Sequence, residues 1–192
     1  MRIEFSNYKI NPVSFYFVRH GETDWNVIKR ITGQTDVPLN SQGLKQAHKV
    51  GEILQTLEIK SIFTSTLQRA KQTAEIIQTY INSPLEENPG LMDSKLGIIE
   101  GNTDRSKLYE WENGKQLTDA ESLDDFNLRI TNTINEILLS PGPILVVSHS
   151  GVWRHLNQIL NGSIPRIPNA TPILCRPYYL KPDYYIWETI LL

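Results

Sequence analysis

Two rhythms of apolar residues run along the chain. Short, densely apolar runs predict strands: SFYFV at 14–18, SIFTS at 61–65, and ILVV, the clearest, at 144–147. Between them, apolar residues recur at spacings of three and four, the signature of amphipathic helices. SQGLKQAHKVGEILQTL predicts a helix with Ser41 as N-cap and Leu44, Ala47, Val50, Leu54 and Leu57 on its stripe. TLQRAKQTAEIIQTYI follows the second strand directly, with Leu67, Ala70, Ala74, Ile77 and Ile81 inward and Pro84 as its stop. ESLDDFNLRITNTINEILL opens on Ser122 and Asp125, a capping-box pattern, and turns Leu123, Phe126, Ile130, Ile134 and Ile137 to the core. GVWRHLNQIL reads as a helix after the 144–147 run.

Other segments are less regular. Residues 85–120 carry Pro89, Gly90, Gly97, Gly101 and Gly114, with one short helix around Lys107–Glu112. The tail from Asn169 is interrupted by prolines and closes on YYIWETILL, a last strand. Residues 1–12 read as an N-terminal extension. Strands alternating with helices predict an α/β fold, helices covering both faces of a mostly parallel sheet. The 144–147 run has no polar alternation, as expected of a strand covered on both sides.

The 192 residues suit a single domain, 1–192. Nineteen Lys and Arg against 21 Asp and Glu leave a net charge of −2, which gives no broad attraction to nucleic acid or anionic membrane. Any anion site must be a local cluster. Cys175 is the one cysteine, so no intrachain disulfide forms, consistent with a reducing, cytoplasmic setting. No segment has the apolar length of a membrane span or a signal peptide.

Three strand ends carry chemistry: Arg19-His20, Ser65 leading to Arg69, and Ser148-His149. In such sheets ligands lie beyond the carboxyl ends of the strands, so the three can converge on one crevice. Two arginines and two histidines suit phosphoryl chemistry. Guanidinium matches phosphate oxygens in geometry and charge. A neutral histidine can attack phosphorus, and a second can stabilise the equatorial oxygens. Gly21 would let backbone approach the anion. His48 and His155 lack such company and read as ordinary structural histidines. Among motifs, no HExxH, P-loop or dinucleotide fingerprint occurs, so neither metal nor cofactor is implied.

The order VRHGETDWN, TGQTDVPLNSQGLKQA, STLQRAKQTAEII, LMDSKLGIIEG, ESLDDFNLR, VVSHSGVWR resembles the histidine phosphatase superfamily, also called the phosphoglycerate mutase-like family, from about Phe15 to Asn169. The resemblance implies a three-layer α/β/α sandwich and a phosphohistidine mechanism. It makes His20 the nucleophile and places Arg19, Arg69 and His149 in the phosphate pocket, with Asn26 beside them. Thr32, Gly33 and Ser150 fall on the substrate side, Ser150 standing where the family usually has glycine. The family's proton donor is a glutamate; the matching residue here is Asp93, shorter by about 1.5 Å. Glu100 matches a second position, more structural than catalytic, and becomes the next donor candidate if Asp93 is not the acid. The short stretch after Asp93 favours a phosphomonoester hydrolase acting on a small phosphorylated metabolite. A mutase-type phosphoryl transfer and a non-catalytic phosphate-binding module are the alternatives. Arg105, Lys107 and Lys115 read as solvated charges that could border the leaving-group side. The expected partner is a small phosphorylated substrate, with neither nucleic acid nor membrane; the oligomeric state, monomer or homodimer, is open.

Overall fold

In the computed structural model, residues 8–182 and 184–192 are described. Strand β1 (Phe15–Arg19) leads through a short helix α1 (Asp24–Val27) to α2 (Ser41–Leu54), then β2 (Ser61–Thr64), α3 (Gln68–Ile81) and β3 (Leu85–Glu87). Two 3-10 turns and α4 (Ser106–Glu112) precede α5 (Leu123–Ile137), β4 (Ile144–Ser148), α6 (Ser150–Ile159), β5 (Pro172–Lys181) and β6 (Tyr184–Leu191). The described strands form one six-stranded sheet in the order β3-β2-β4-β1-β5-β6. The first four are mutually parallel; β5 runs antiparallel to β1, and β6 to β5.

Strand geometry sends successive side chains to opposite faces, which gives the sheet two cores. Ile144 and Val146 of β4 join Phe15, Phe17, Ile130, Ile134 and Trp153 on one face, under α5 and α6. Leu145 and Val147 join Val18, Val50, Ile62, Ala74 and Ile77 on the other, under α2 and α3. All five residues of β4 are buried, as its unbroken apolar run requires.

Several boundaries differ from the sequence expectation. The N-cap of α2 is Asn40, whose side chain accepts from the Gly43 amide at 2.8 Å, and Ser41 is the first helical residue. Leu44 is exposed, so the stripe of α2 is carried by Ala47, Val50 and Leu54. Helix α3 stops at Asn82 in a left-handed conformation, two residues before Pro84. Strand β3 was absent from the pattern because three residues are too few for alternation to show. β5 was hidden by its prolines. Pro172 opens the strand, and Pro177 lies beyond the stretch bonded to β1, so neither removes a ladder bond that the sheet interior needs. The described part of the N-terminal extension is tied down: Ile10 is buried in the larger core, and Asn135 bonds the backbone of Lys9 and Asn11.

Two neighbouring strands define the site. In the parallel β1–β4 pair, Arg19 lies opposite Ser148, and the His20 amide continues the ladder to the Ser148 carbonyl at 2.9 Å. The chain leaves β1 toward α2 on one face and leaves β4 into α6 on the other. The two exits diverge, and a crevice opens between them at the carboxyl ends of the strands.

Candidate active site

A cavity of about 610 Å³ opens at that crevice. Arg19, His20, Asn26, Arg69 and Asp93 line it, along with Thr32, Gly33 and Ser150. His149 lies just behind, fully buried, its ring centroid 5.3 Å from that of His20. The residues expected from sequence therefore come together, although they arise from five separate stretches of the chain.

His20 is held in one tautomer. Its Nδ1 lies 2.7 Å from the Gly21 carbonyl, which can only accept, so Nδ1 carries the hydrogen and Nε2 keeps its lone pair. Burial, with Arg69 and Arg19 nearby, pushes its pKa well below the ordinary histidine range. The ring is thus neutral at pH 7. His149 is displaced in the same direction by burial, then by Arg69 and His20. Its Nε2 meets the Ser65 hydroxyl at 2.8 Å. Ser65, which the sequence placed only as a strand end, is the partner that orients this ring.

The two central arginines are held by carbonyls. Arg69 is completely buried at the start of α3 and donates to the carbonyls of Gly33 at 2.8 Å and Thr35 at 3.0 Å. Arg19 donates to the Ile167 carbonyl at 2.9 Å. Desolvation lowers the Arg19 pKa to about 10, and Arg69 is lowered for the same reason, yet both remain cations at neutral pH. Carbonyl partners orient each guanidinium and, unlike carboxylates, carry no charge to neutralise it.

Asn26 is oriented as a donor toward the cavity. Its Oδ1 accepts from the Thr23 amide at 3.1 Å and from Asn169 Nδ2 at 3.0 Å, which leaves the amide NH₂ for a ligand. Asn169 also donates to the carbonyls of His20 and Gly21. Its role was invisible in sequence, since a lone asparagine in a loop carries no signal.

Asp93 lies against the first turn of α6. A side chain at Gly151 would put its Cβ 2.3 Å from Asp93 Oδ1, so glycine makes room for the carboxylate. Arg69 Nη2 is 3.9 Å from Oδ2. Desolvation raises the Asp93 pKa, opposed by Arg69, Arg154 and the Ser94 amide. The backbone there is clamped by Arg129, which donates to the carbonyls of Gly90, Met92 and, at 3.4 Å, Asp93, and pairs with Glu121 at 2.7 Å. Arg129 escaped notice in the sequence, though its place three residues after Phe126 on α5 was the available clue.

One expectation is corrected, for Gly21, while Glu100 takes the structural role its position implied. Gly21 is needed for its approach to α2, where an added Cβ would meet the Gly43 carbonyl at 2.5 Å, and its amide donates to Thr73 rather than facing the cavity. Glu100, the second donor candidate, is fully engaged elsewhere. Its carboxylate accepts from the amides of Gln34, Thr35 and Leu96 and from the Thr35 hydroxyl at 2.6 Å. It does not line the cavity and serves as a loop clamp. Arg105 does line the cavity wall, while Lys107 and Lys115 do not; Lys115 pairs with Glu110 on the surface. Lys29, Arg30, Arg154 and Arg166 also border the cavity and carried no signal in the sequence.

Among the described residues, no cluster of three His, Cys, Asp or Glu could hold a metal ion, and no helix is long and apolar enough to cross a membrane.

The family model for the histidine phosphatase superfamily (branch 1) matches residues 15–173. The chain belongs to this superfamily. It is 34% identical over 155 residues to the uncharacterized phosphatase PhoE of Bacillus subtilis, covering 80% of each chain. It is 36% identical over 146 residues to the probable phosphoglycerate mutase GpmB of Salmonella arizonae, covering 70% of this chain and 68% of the relative. The crystal structure of TTHB049 from Thermus thermophilus superposes with a TM-score of 0.74 at 26% identity, covering 93% of this chain and 98% of that one. The superfamily fold, a helix-covered mixed sheet, is thus established, and phosphatases and mutases are its relatives' named activities.

Proposed function

We propose that the protein hydrolyses small phosphomonoesters through a phosphohistidine on His20. The observation that carries this reading is the His20–Gly21 hydrogen bond, which leaves Nε2 bare in a cavity also lined by Arg19 and Arg69. In the first step Nε2 attacks phosphorus and the bond to the ester oxygen breaks. Arg19, Arg69 and the Asn26 amide hold the phosphoryl oxygens, and charge gathering on them is met by preorganised donors. His149 completes this set: a Ser65 hydroxyl donating to its Nε2 leaves Nδ1–H as a donor. Asp93, whose pKa desolvation raises against the pull of Arg69 and Arg154, gives a proton to the leaving oxygen when it is in its acid form. In the second step water attacks the phosphohistidine, Asp93 takes a proton from that water, and the phosphorus–nitrogen bond breaks to release phosphate.

A mutase would share the intermediate and return the phosphoryl group to a second hydroxyl. The test is acid-quench trapping with ³²P-labelled substrate, read together with phosphate release. An acid-labile, base-stable adduct in wild type, absent in His20→Ala, with label leaving as inorganic phosphate, is the expected result. Turnover surviving in His20→Ala would overturn the mechanism; label returning to an organic acceptor would replace hydrolysis by transfer.

A further inference from the structure

The cavity holds more positive charge than one phosphate group can use. Arg19 and Arg69 sit beside His20, while Lys29, Arg30, Arg105, Arg154 and Arg166 line the rest of the wall. Among the described residues, two carboxylates face these seven cations, Asp93 and Glu112. Glu112 pairs with Arg154, and Asp93 lies near Arg69. Lys29, Arg30, Arg105 and Arg166 make no ion pair among the described residues. A chain whose net charge is −2 has therefore gathered unpaired cations at one opening.

Their arrangement is specific. Arg30 stacks over the Trp25 ring at 5.1 Å, and its buried Nε has no hydrogen-bond partner among the described residues. Trp25 immediately precedes Asn26 on α1, so this cation is built onto the same short helix as a phosphate donor. Arg105 stands at the N-cap of α4, and Arg166 directly precedes Ile167, whose carbonyl holds Arg19. Besides desolvation, Arg105 and Arg166 both depress the pKa of Arg154, which places the three guanidinium groups within one another's field. Segments far apart in sequence thus bring cations to one wall. Like charges so gathered repel, and a bound anion relieves that repulsion.

Building on the phosphomonoesterase reading, we infer that the preferred substrate carries a second anionic group, a carboxylate or another phosphate, at the end remote from the transferred phosphoryl group, and that Arg30, Arg105 and Arg166 receive it. A cavity of about 610 Å³ accommodates a small metabolite with an anion at each end. The residues at the opening then choose the substrate, and those at the floor perform the chemistry.

The test compares kcat/KM for alkyl phosphates of equal chain length ending in a carboxamide, a carboxylate or a second phosphate. Wild type should prefer an anionic end by about tenfold or more, with the advantage shrinking as KCl rises. Whichever anion-ended ester is preferred identifies the second group. In Arg105→Gln/Arg166→Gln the preference should fall below about threefold through KM, with kcat little changed. Circular dichroism and 4-nitrophenyl phosphate turnover would verify that the double variant folds. Equal kcat/KM for neutral and anionic ends in wild type, or a preference untouched in the folded variant, would overturn the inference. Calorimetry with the matching non-hydrolysable phosphonates separates it from the activity. Tighter binding of the anion-ended phosphonates, with no ester turned over, would keep the subsite and refute the hydrolase. Turnover of all the esters with equal phosphonate binding would do the reverse.

Discussion

At the scale of single residues, the proposed proton donor is Asp93, where the family resemblance implies a glutamate. The carboxylate is shorter, yet Gly151 lets it lie against the first turn of α6. Asp93→Asn should slow alkyl phosphates by about 10²–10⁴-fold and aryl phosphates far less, because a nitrophenolate leaves without a proton. Burst kinetics must accompany the steady state, since the second step also uses this carboxylate. Gly151→Ala tests the same geometry from the other side. The added methyl group would displace Oδ1, so alkyl turnover should fall more than aryl turnover while circular dichroism is retained. Equal losses on both substrates would remove Asp93 from the proton path. The pH profile follows from opposite displacements. His20 is lowered, so the acid limb of kcat/KM should lie well below the ordinary histidine range. Asp93 is raised and must be protonated, so activity on alkyl phosphates should fall as pH rises through its pKa. Asp93→Asn should erase that alkaline limb.

At the scale of elements, the site depends on loops held by a partly buried carboxylate. Glu100 ties the segment 33–35 to the turn at Leu96, and the carbonyls of that segment hold Arg69. Glu100→Ala leaves three amides and a hydroxyl without their acceptor. It should cost roughly 3 kcal/mol in urea unfolding and raise KM as Arg69 loses its seat. An unchanged KM would show that Arg69 is positioned without this clamp. The cap of α5 provides a contrast. Ser122 accepts from the Asp125 amide at 3.0 Å, so Ser122→Ala should cost about 1 kcal/mol. Its kinetic constants should match wild type. The helices α2, α3, α5 and α6 were legible from their apolar period, and β1, β2, β4, β6 and the short α4 from local composition. The short β3 and the proline-bearing β5 were not, because three residues show no alternation and proline reads as a break until the partner strand is known.

For the whole molecule, one buried histidine outside the chemistry, His155, links stability to pH. His155 is packed between Thr131, at 2.9 Å, and Tyr8, and burial lowers its pKa to about 4. An unfolded histidine titrates near 6.5. Between these values the unfolded chain binds more protons, so stability rises with pH across the window and is lost as pH falls from about 6.5 toward 4. The loss from pH 7 to pH 5 should be about 2 kcal/mol larger in wild type than in His155→Gln, measured by urea unfolding. Equal pH dependence in the two proteins would show that His155 does not carry this linkage.

The fold class, the order of the main elements and the candidate reacting groups could be read from the sequence alone. Helical and strand periods are local properties, and the Arg19-His20 and Ser148-His149 pairs stand at strand ends whatever their neighbours. The sequence also marked Asp93, because the surrounding motif supplied its frame. Tertiary structure decided what each group touches. Only the parallel pairing of β1 with β4 brings His20 beside His149. Only the folded loops show that Glu100 has no capacity left for acid catalysis, that Asn169 aims Asn26, and that Arg129 holds the backbone of Asp93. The gathering of Arg30, Arg105 and Arg166 at one opening was equally invisible, because the chain's net charge averages it away. Hydrogen bonds and charge clusters join residues tens of positions apart, and no period in a sequence encodes that distance.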